Sequence, residues 1–149
     1  NRDLLELEIK KKAIAYAIAE VSHTEIDEIN ILNASFLAMH KALDLLVTKP
    51  NFLLVDGNRF KAYQDVPHEC IIKGDGKFAS IAAASILAKV YRDRLMSDWA
   101  KKYPEYGWET NVGYPTVKHR KAIKEFGVTP LHRLSFQLLP KEELDVADK

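Results

Sequence analysis

The sequence predicts a layered α/β domain, and three observations carry that expectation. Two short apolar runs, Phe52–Val55 and the stretch from Pro67 to Lys73, each stop at an Asp-Gly step, as strands bounded by turns do. Long helical stripes lie before and after them. A further run, Ala13–Val21, alternates between two mostly apolar faces and reads as a strand covered on both sides. Strands alternating with helices indicate α/β layers rather than a sandwich or a bundle.

Each element follows in order. The chain opens at Asn1, already in a helical pattern: Leu4, Leu5 and Ile9 line one side, and Glu6–Lys10 and Glu8–Lys12 are spaced i,i+4. After the Ala13–Val21 strand, Ser22 and Thr24 offer N-caps, each with an acid three residues on, Glu25 and Asp27. Ile29, Leu32, Phe36, Met39, Leu43 and Leu46 then form one stripe, read as core, which Pro50 ends. The two short strands follow, both expected to be buried. Ala79 to Trp99 is a long helix whose first half is crowded with Ala and Ser, which permits close approach to a sheet. Pro104 ends that region, and Thr116 caps a last helix with Val117, Ile123 and Phe126 apolar before Gly127. One domain, 1–140, is expected, followed by a polar tail, 141–149.

Composition narrows the function classes. The 149 residues are 47% hydrophobic and 29% charged, too apolar for wholesale disorder, and contain no run long enough to span a membrane. The single cysteine, Cys70, excludes an intramolecular disulfide and a cysteine-rich zinc site, and permits a reducing, cytoplasmic compartment. With 22 basic and 21 acidic residues, any surface for nucleic acid must be local. The five histidines show no metal-ligand spacing, and His40 and Cys70 read as structural.

The sharpest chemical feature is a matched pair of carboxylates. Asp56 and Asp75 each follow a short apolar run and each precede a glycine. Ligands of open α/β sheets bind outside the carboxyl ends of the strands. If the two strands are parallel neighbours, both acids reach one crevice, where their repulsion is relieved by a hard cation, Mg²⁺ or Mn²⁺. If they form a hairpin, the shared site disappears; the connection is close to the minimum of about a dozen residues for a parallel crossover. Turn chemistry accounts for either Asp-Gly taken alone. Gly76-Lys77 is not a phosphate loop, because Phe78 stands where Ser or Thr is needed and Ile71 where glycine is needed.

Local charge is the third feature. Lys118, Arg120, Lys121, Lys124 and Arg133 cluster downstream of Tyr103, Tyr106, Trp108 and Tyr114, a pattern suited to a phosphate backbone with sugar or base faces. A solvated helix face with core tyrosines is the better explanation for most of them. Lys89 and Arg92 likewise face phosphate or solvent.

These residues resemble a known family. The stretches KGDGKFASIAAASILAKVYRDR, NVGYPTVKHRKAI and HRLSF, with EIDEINILNASFLAMHKAL and LLVDGNRF upstream, are similar to bacterial ribonuclease HII, the type 2 ribonuclease H family, up to about Pro140. The resemblance implies a ribonuclease H-like fold, a mixed sheet between helical layers. It implies a Mg²⁺- or Mn²⁺-dependent endonuclease acting on RNA–DNA hybrids and on duplex DNA carrying single ribonucleotides. Asp56 and Asp75 match two of the family's four acids, and Tyr114 matches the tyrosine that stacks on the junction sugar and senses its 2′-hydroxyl. Lys73, Lys77, Lys89 and the 118–124 cluster (Lys118, Arg120, Lys121) are weaker candidates for backbone contact. The family's opening segment, two strands with an Asp-Glu-Ala-Gly-Arg-Gly motif and a loop ending in Asp-Ser-Lys, has no counterpart here. That segment carries the other two acids. The expectation is therefore the downstream part of a longer chain, a sheet without its first two strands, and self-association through exposed sheet edges. The alternative reading is a catalytically incomplete fragment that binds hybrid without cutting it.

Overall fold

The computed structural model describes residues 2–139, so the expected tail at 141–149 lies outside the described residues. Five helices and two strands occur among them: α1 (Arg2–Lys12), α2 (His23–Leu45), β1 (Leu53–Asp56), β2 (His68–Ile71), α3 (Ala79–Lys102), α4 (Trp108–Asn111) and α5 (Val117–Phe126). Single 3-10 turns occupy Gly74–Gly76 and Pro104–Tyr106.

The strands decide the geometry of the site. β1 and β2 are parallel neighbours, with Leu53 opposite His68 and Asp56 opposite Ile71. The crossover holds no helix; it turns back on itself through a bridge between Tyr63 and Val66. Leu53, Val55 and Tyr63 form a small buried cluster, with Leu43, Phe60 and Val66 against it. Tyr63 is fixed there by its hydroxyl, which donates to Asp44 at 2.6 Å. β2 is less buried than expected, since His68 and Glu69 are exposed and only Ile71 is covered.

Two other expectations are corrected. Ala13–Val21 forms no strand; among the described residues no neighbour offers it a ladder, and an unpaired extended segment gains nothing from alternation. The sheet among the described residues is correspondingly two parallel strands. The α2 stripe is not continuous core either. The helix begins with the expected capping box, Ser22 and Glu25 each bonding the other's backbone, but breaks at Asn30 (φ 66°, ψ 165°). Asn30 Oδ1 there accepts from the N–H groups of Leu32 and Asn33, acting as a second cap. A two-stranded sheet is also narrower than a 23-residue helix, so Leu32 and Met39 stay 46% and 37% exposed while Ala34 is buried.

α1 forms as expected, but its buried residue is a charge. Leu4 and Leu5 are exposed, whereas Glu6 is covered and pairs with Lys10 and with Arg94 of α3. α3 is the longest helix among the described residues, with 24 residues. Its first turns pack on the Gly74–Gly76 turn through Ile81, and its last turns enter a second core of Ala100, Tyr106, Trp108, Ala122 and Ile123. α5 starts at its Thr116 cap, whose Oγ1 accepts from His119 N at 3.2 Å. It buries His119, Ala122 and Ile123, while Val117 and Phe126 are exposed.

Candidate nuclease site

The carboxylate site is assembled by the parallel register. Asp56 ends β1, and the following Gly57 N–H donates to Ile71 O at 2.9 Å, holding the two strand ends level. Two residues past β2, Lys73 turns into the left-handed region (φ 55°) and swings the Gly74–Gly76 turn back toward Asp56. Gly74 N then donates to Asp56 Oδ1 at 2.8 Å. The approach requires glycine: a Cβ on Gly74 would stand 2.6 Å from Ile81 Cδ1 and 3.3 Å from Asp56 Oδ1. Asp75 is the next residue. Its carboxylate has no hydrogen bond or ion pair among the described residues, and both acids are exposed to solvent.

This arrangement suits a cation that keeps most of its own water. No group of three or more His, Cys, Asp or Glu able to hold a metal occurs among the described residues. Two hard carboxylates are nevertheless the protein share that Mg²⁺ ordinarily takes when phosphate oxygens and waters complete its shell. Asp56 spends one oxygen on Gly74, which orients the carboxylate. The residues therefore fit the ion.

Tyr114 lies on a second, independently built turn. Its ring is 66% exposed, but its backbone is fastened: Tyr114 N donates to Asn111 O, and its carbonyl accepts from Thr116 N, each at 2.8 Å. Buried Asn111 also accepts from Gly113 N and donates to Tyr106 O. Arg92 of α3 donates to Val112 O at 2.9 Å. α3 thus ties the two places together: its first turn packs on the acid turn, and Arg92, about 20 Å further along the helix axis, holds the tyrosine turn.

The basic candidates divide. Lys73 and Lys77 flank Asp75 and are exposed; Lys89 is exposed midway along α3. Arg120 and Lys121 are exposed on α5, while Lys118 lies over Gly107 and faces Glu109 at 3.9 Å. Arg133, stacked on Phe136, is part-buried, and both burial and Arg92 push its guanidinium pKa down. The loop carrying it is held by Asp27, which accepts from Leu134 N and Ser135 N and is thereby kept below the usual carboxylate range, its Ser135 side-chain bond being the largest cause. A cleft of about 650 Å³ between α2 and the crossover is lined by Phe36, Arg59, Phe60 and His68 and contains none of the candidate metal or substrate residues.

A family model described as Ribonuclease HII matches residues 1–139. The chain belongs to the ribonuclease HII family. The ribonuclease HII of Christiangramia forsetii is 60% identical over 142 residues, covering 95% of this chain and 72% of that protein. That of Phocaeicola vulgatus is 61% identical over 131 residues, covering 88% of this chain and 65% of that protein. The crystal structure of the ribonuclease H2 from Pyrococcus horikoshii OT3 is similar, with a TM-score of 0.78 at 25% identity, over 99% of this chain and 77% of that one. The ribonuclease H-like α/β fold is thereby shown, and the ribonuclease HII family is one of metal-dependent ribonuclease H endonucleases acting on RNA–DNA hybrids. No helix among the described residues is long and apolar enough to cross a membrane.

Two features of this ribonuclease HII chain escape reading by motif. Arg92 is visible in sequence only as one more helical cation, yet it braces the Tyr114 turn. His119 and His132, thirteen positions apart, meet in the core. A signal for His119 exists: it shares a helical face with Ala122 and Ile123, the one buried on α5.

Proposed function

We propose that this chain carries two of the metal-holding acids, Asp56 and Asp75, and the ribose-reading tyrosine, Tyr114, of an endonuclease that cuts the RNA strand of RNA–DNA hybrids and single ribonucleotides in duplex DNA. The observation that carries this reading is the parallel register of β1 and β2, which sets the Asp75 turn against Asp56 through the Gly74–Asp56 hydrogen bond. Asp56 and Asp75 would hold Mg²⁺ or Mn²⁺, which when bound would supply an activated water and offset charge on the departing 3′-oxygen. Asp56, oriented by Gly74, and Asp75 hold negative charge where those ions and a scissile phosphate meet. Tyr114 offers an exposed ring from a fixed backbone, suited to stacking on a sugar. Its discrimination rests on the 2′-hydroxyl, the group that separates RNA from DNA. Lys73, Lys77, Lys89, Arg120 and Lys121 supply exposed positive charge, with Lys118 partly engaged by Glu109.

The second reading, binding without cleavage, is favoured by one observation: no group of three or more His, Cys, Asp or Glu able to hold a metal occurs among the described residues. Titrating Mg²⁺ and Mn²⁺ against a duplex with one ribonucleotide separates the two. Metal-dependent cleavage supports the nuclease; retained binding with no product at any metal concentration supports the binding module. Within the nuclease reading, Asp75→Asn lowers turnover by about a hundredfold or more, the scale of losing one electrostatic stabiliser, with hybrid affinity nearly unchanged. Unaltered turnover would remove Asp75 from the chemistry.

A further inference from the structure

The cleft between α2 and the crossover has no part in that chemistry, and the sheet register shows where it lies. Leu53 stands opposite His68 and Val55 opposite Cys70, so these four residues share one face of the sheet, the face that Leu43 of α2 covers. Asp56 and Ile71 belong to the other face, where Gly74 and Ile81 of α3 meet them. The acids and the cleft are therefore on opposite faces of the same two strands. They are still close along the chain. Arg59 is three residues beyond Asp56, at most about 11 Å of extended backbone.

The cleft has an aromatic floor that is held in place. Phe36, His40 and His68 each meet Phe60 edge-on, with ring centroids 6.2, 5.5 and 5.1 Å away. His40 Nε2 also donates to Lys61 O at 2.8 Å, which ties the loop bearing Phe60 to α2. The rim is cationic and unpaired. Arg59 and Lys61 are exposed, and neither side chain makes an ion pair or a hydrogen bond among the described residues. The His68 ring is exposed and likewise makes no hydrogen bond there. No Asp or Glu lines the cleft, so nothing competes for the two cations. Its volume, about 650 Å³, is that of a small-ligand site.

Solvated loop cations alone would not need a fixed aromatic floor beneath them. Together the two select a ligand with a flat ring and a negative group, which is the chemistry of a nucleotide. A base inside a duplex has its faces covered by its neighbours; an unpaired base does not. We propose that the cleft holds an unpaired nucleotide of the bound nucleic acid, its phosphate on Arg59 and Lys61 and its base against Phe60 and His68. The inference rests on the reading of this chain as part of a nuclease for nucleic-acid duplexes. It adds to that reading a preference for a single-stranded end beside the cut. A strand with a phosphate at Asp56 reaches the cleft within about three nucleotides, at roughly 3.4 Å each.

Fluorescence anisotropy without divalent metal, so that nothing is cut, tests the proposal on three probes. These are a blunt duplex with one ribonucleotide, the same duplex with unpaired nucleotides beginning three positions from the ribose on its 5′ or 3′ side, and adenosine monophosphate alone. The proteins are the wild type, the double variant Arg59→Ala/Lys61→Ala, and His68→Ala, all changed only at exposed side chains. One of the two overhangs is expected to tighten wild-type binding about tenfold, the scale of stacking one base. That gain falls to about twofold or less in the double variant and is clearly reduced in His68→Ala, while all three proteins bind the blunt duplex within about twofold of one another. Equal losses on blunt and overhanging duplexes would make Arg59 and Lys61 general backbone contacts and overturn the proposal. So would adenosine monophosphate binding at the cleft with no gain from either overhang, which assigns it to a free nucleotide. If the blunt duplex binds and neither overhang adds anything, the nuclease reading stands and only the cleft assignment falls. If no duplex binds the wild type, the reading on which the proposal rests fails with it.

Discussion

The two ends of α3 are built on different terms. At its start lies the acid turn, supported by two four-residue strands and a small cluster of Leu53, Val55 and Tyr63. At its end lies an aromatic core in which Tyr103, Tyr106, Trp108, His119 and His132 make successive ring contacts. The acids sit on the lightly packed end, exposed, where a hydrated cation and a phosphate can approach. Tyr114 lies beyond that core, its side chain exposed and its backbone bonded to Asn111 and Thr116. The proposed sugar contact draws on that fixed backbone, and the proposed metal contact on the turn that Gly74 sets against Asp56.

Truncations probe this contrast most strongly. Trp108→Ala is expected to cost about 3–5 kcal/mol and Leu53→Ala about 2–3 kcal/mol, measured by urea unfolding, because the aromatic core can collapse less around a void. A larger loss from Leu53 would reverse the comparison. Next comes Gly74→Val, which forces branched carbon onto Ile81 Cδ1 and the Asp56 carboxylate. It should destabilise by about 1–3 kcal/mol and lower metal affinity as well. Stability loss with unchanged metal affinity would separate the turn from the site.

Acid sharpens the contrast in another way. Burial pushes the pKa of both His119 and His132 below the ordinary 6.5, and His132 lowers His119 further. The folded state therefore binds fewer protons than the unfolded one just below pH 6.5. Stability is complete above that pH and falls as the pH drops through the lowered folded values. Tyr106, Trp108 and Thr129 pack on the pair, and burial pushes up the Tyr106 phenol, which donates to Gly127 O. A melting temperature that is flat from pH 7.5 to 5 contradicts this. The smallest effect belongs to the α2 cap: Ser22→Ala should cost about 1 kcal/mol. Glu25, held down to about 2 by Lys41 and then by Ser22, keeps the cap's contribution above the ordinary 4.5 and gives it up only as pH falls toward that low value.

Features written locally were legible in the sequence. The Ser22–Glu25 box, the Thr116 cap and the Asp-Gly ends of β1 and of the run around Cys70 all depend on neighbours within a few positions. The Asp-Gly ends of two apolar runs singled out Asp56 and Asp75, and family likeness matched both and added the role of Tyr114. What failed depends on distant partners. Ala13–Val21 has strand alternation, but a strand exists only beside another strand. The α2 stripe has helical spacing, but Asn30 breaks it by bonding its own downstream amides, and the sheet offers too little surface to cover it. The His119–His132 contact joins residues on different elements, so no spacing rule announces it.

The central claim is that Asp56 and Asp75 serve one cation. Mn²⁺ binding followed by paramagnetic resonance, in the wild type, Asp56→Asn, Asp75→Asn and the double variant, tests it as a cycle. A shared ion predicts that each single substitution removes nearly all of the affinity and the double removes little more. Losses that simply add, or a site that survives either substitution, would contradict the account.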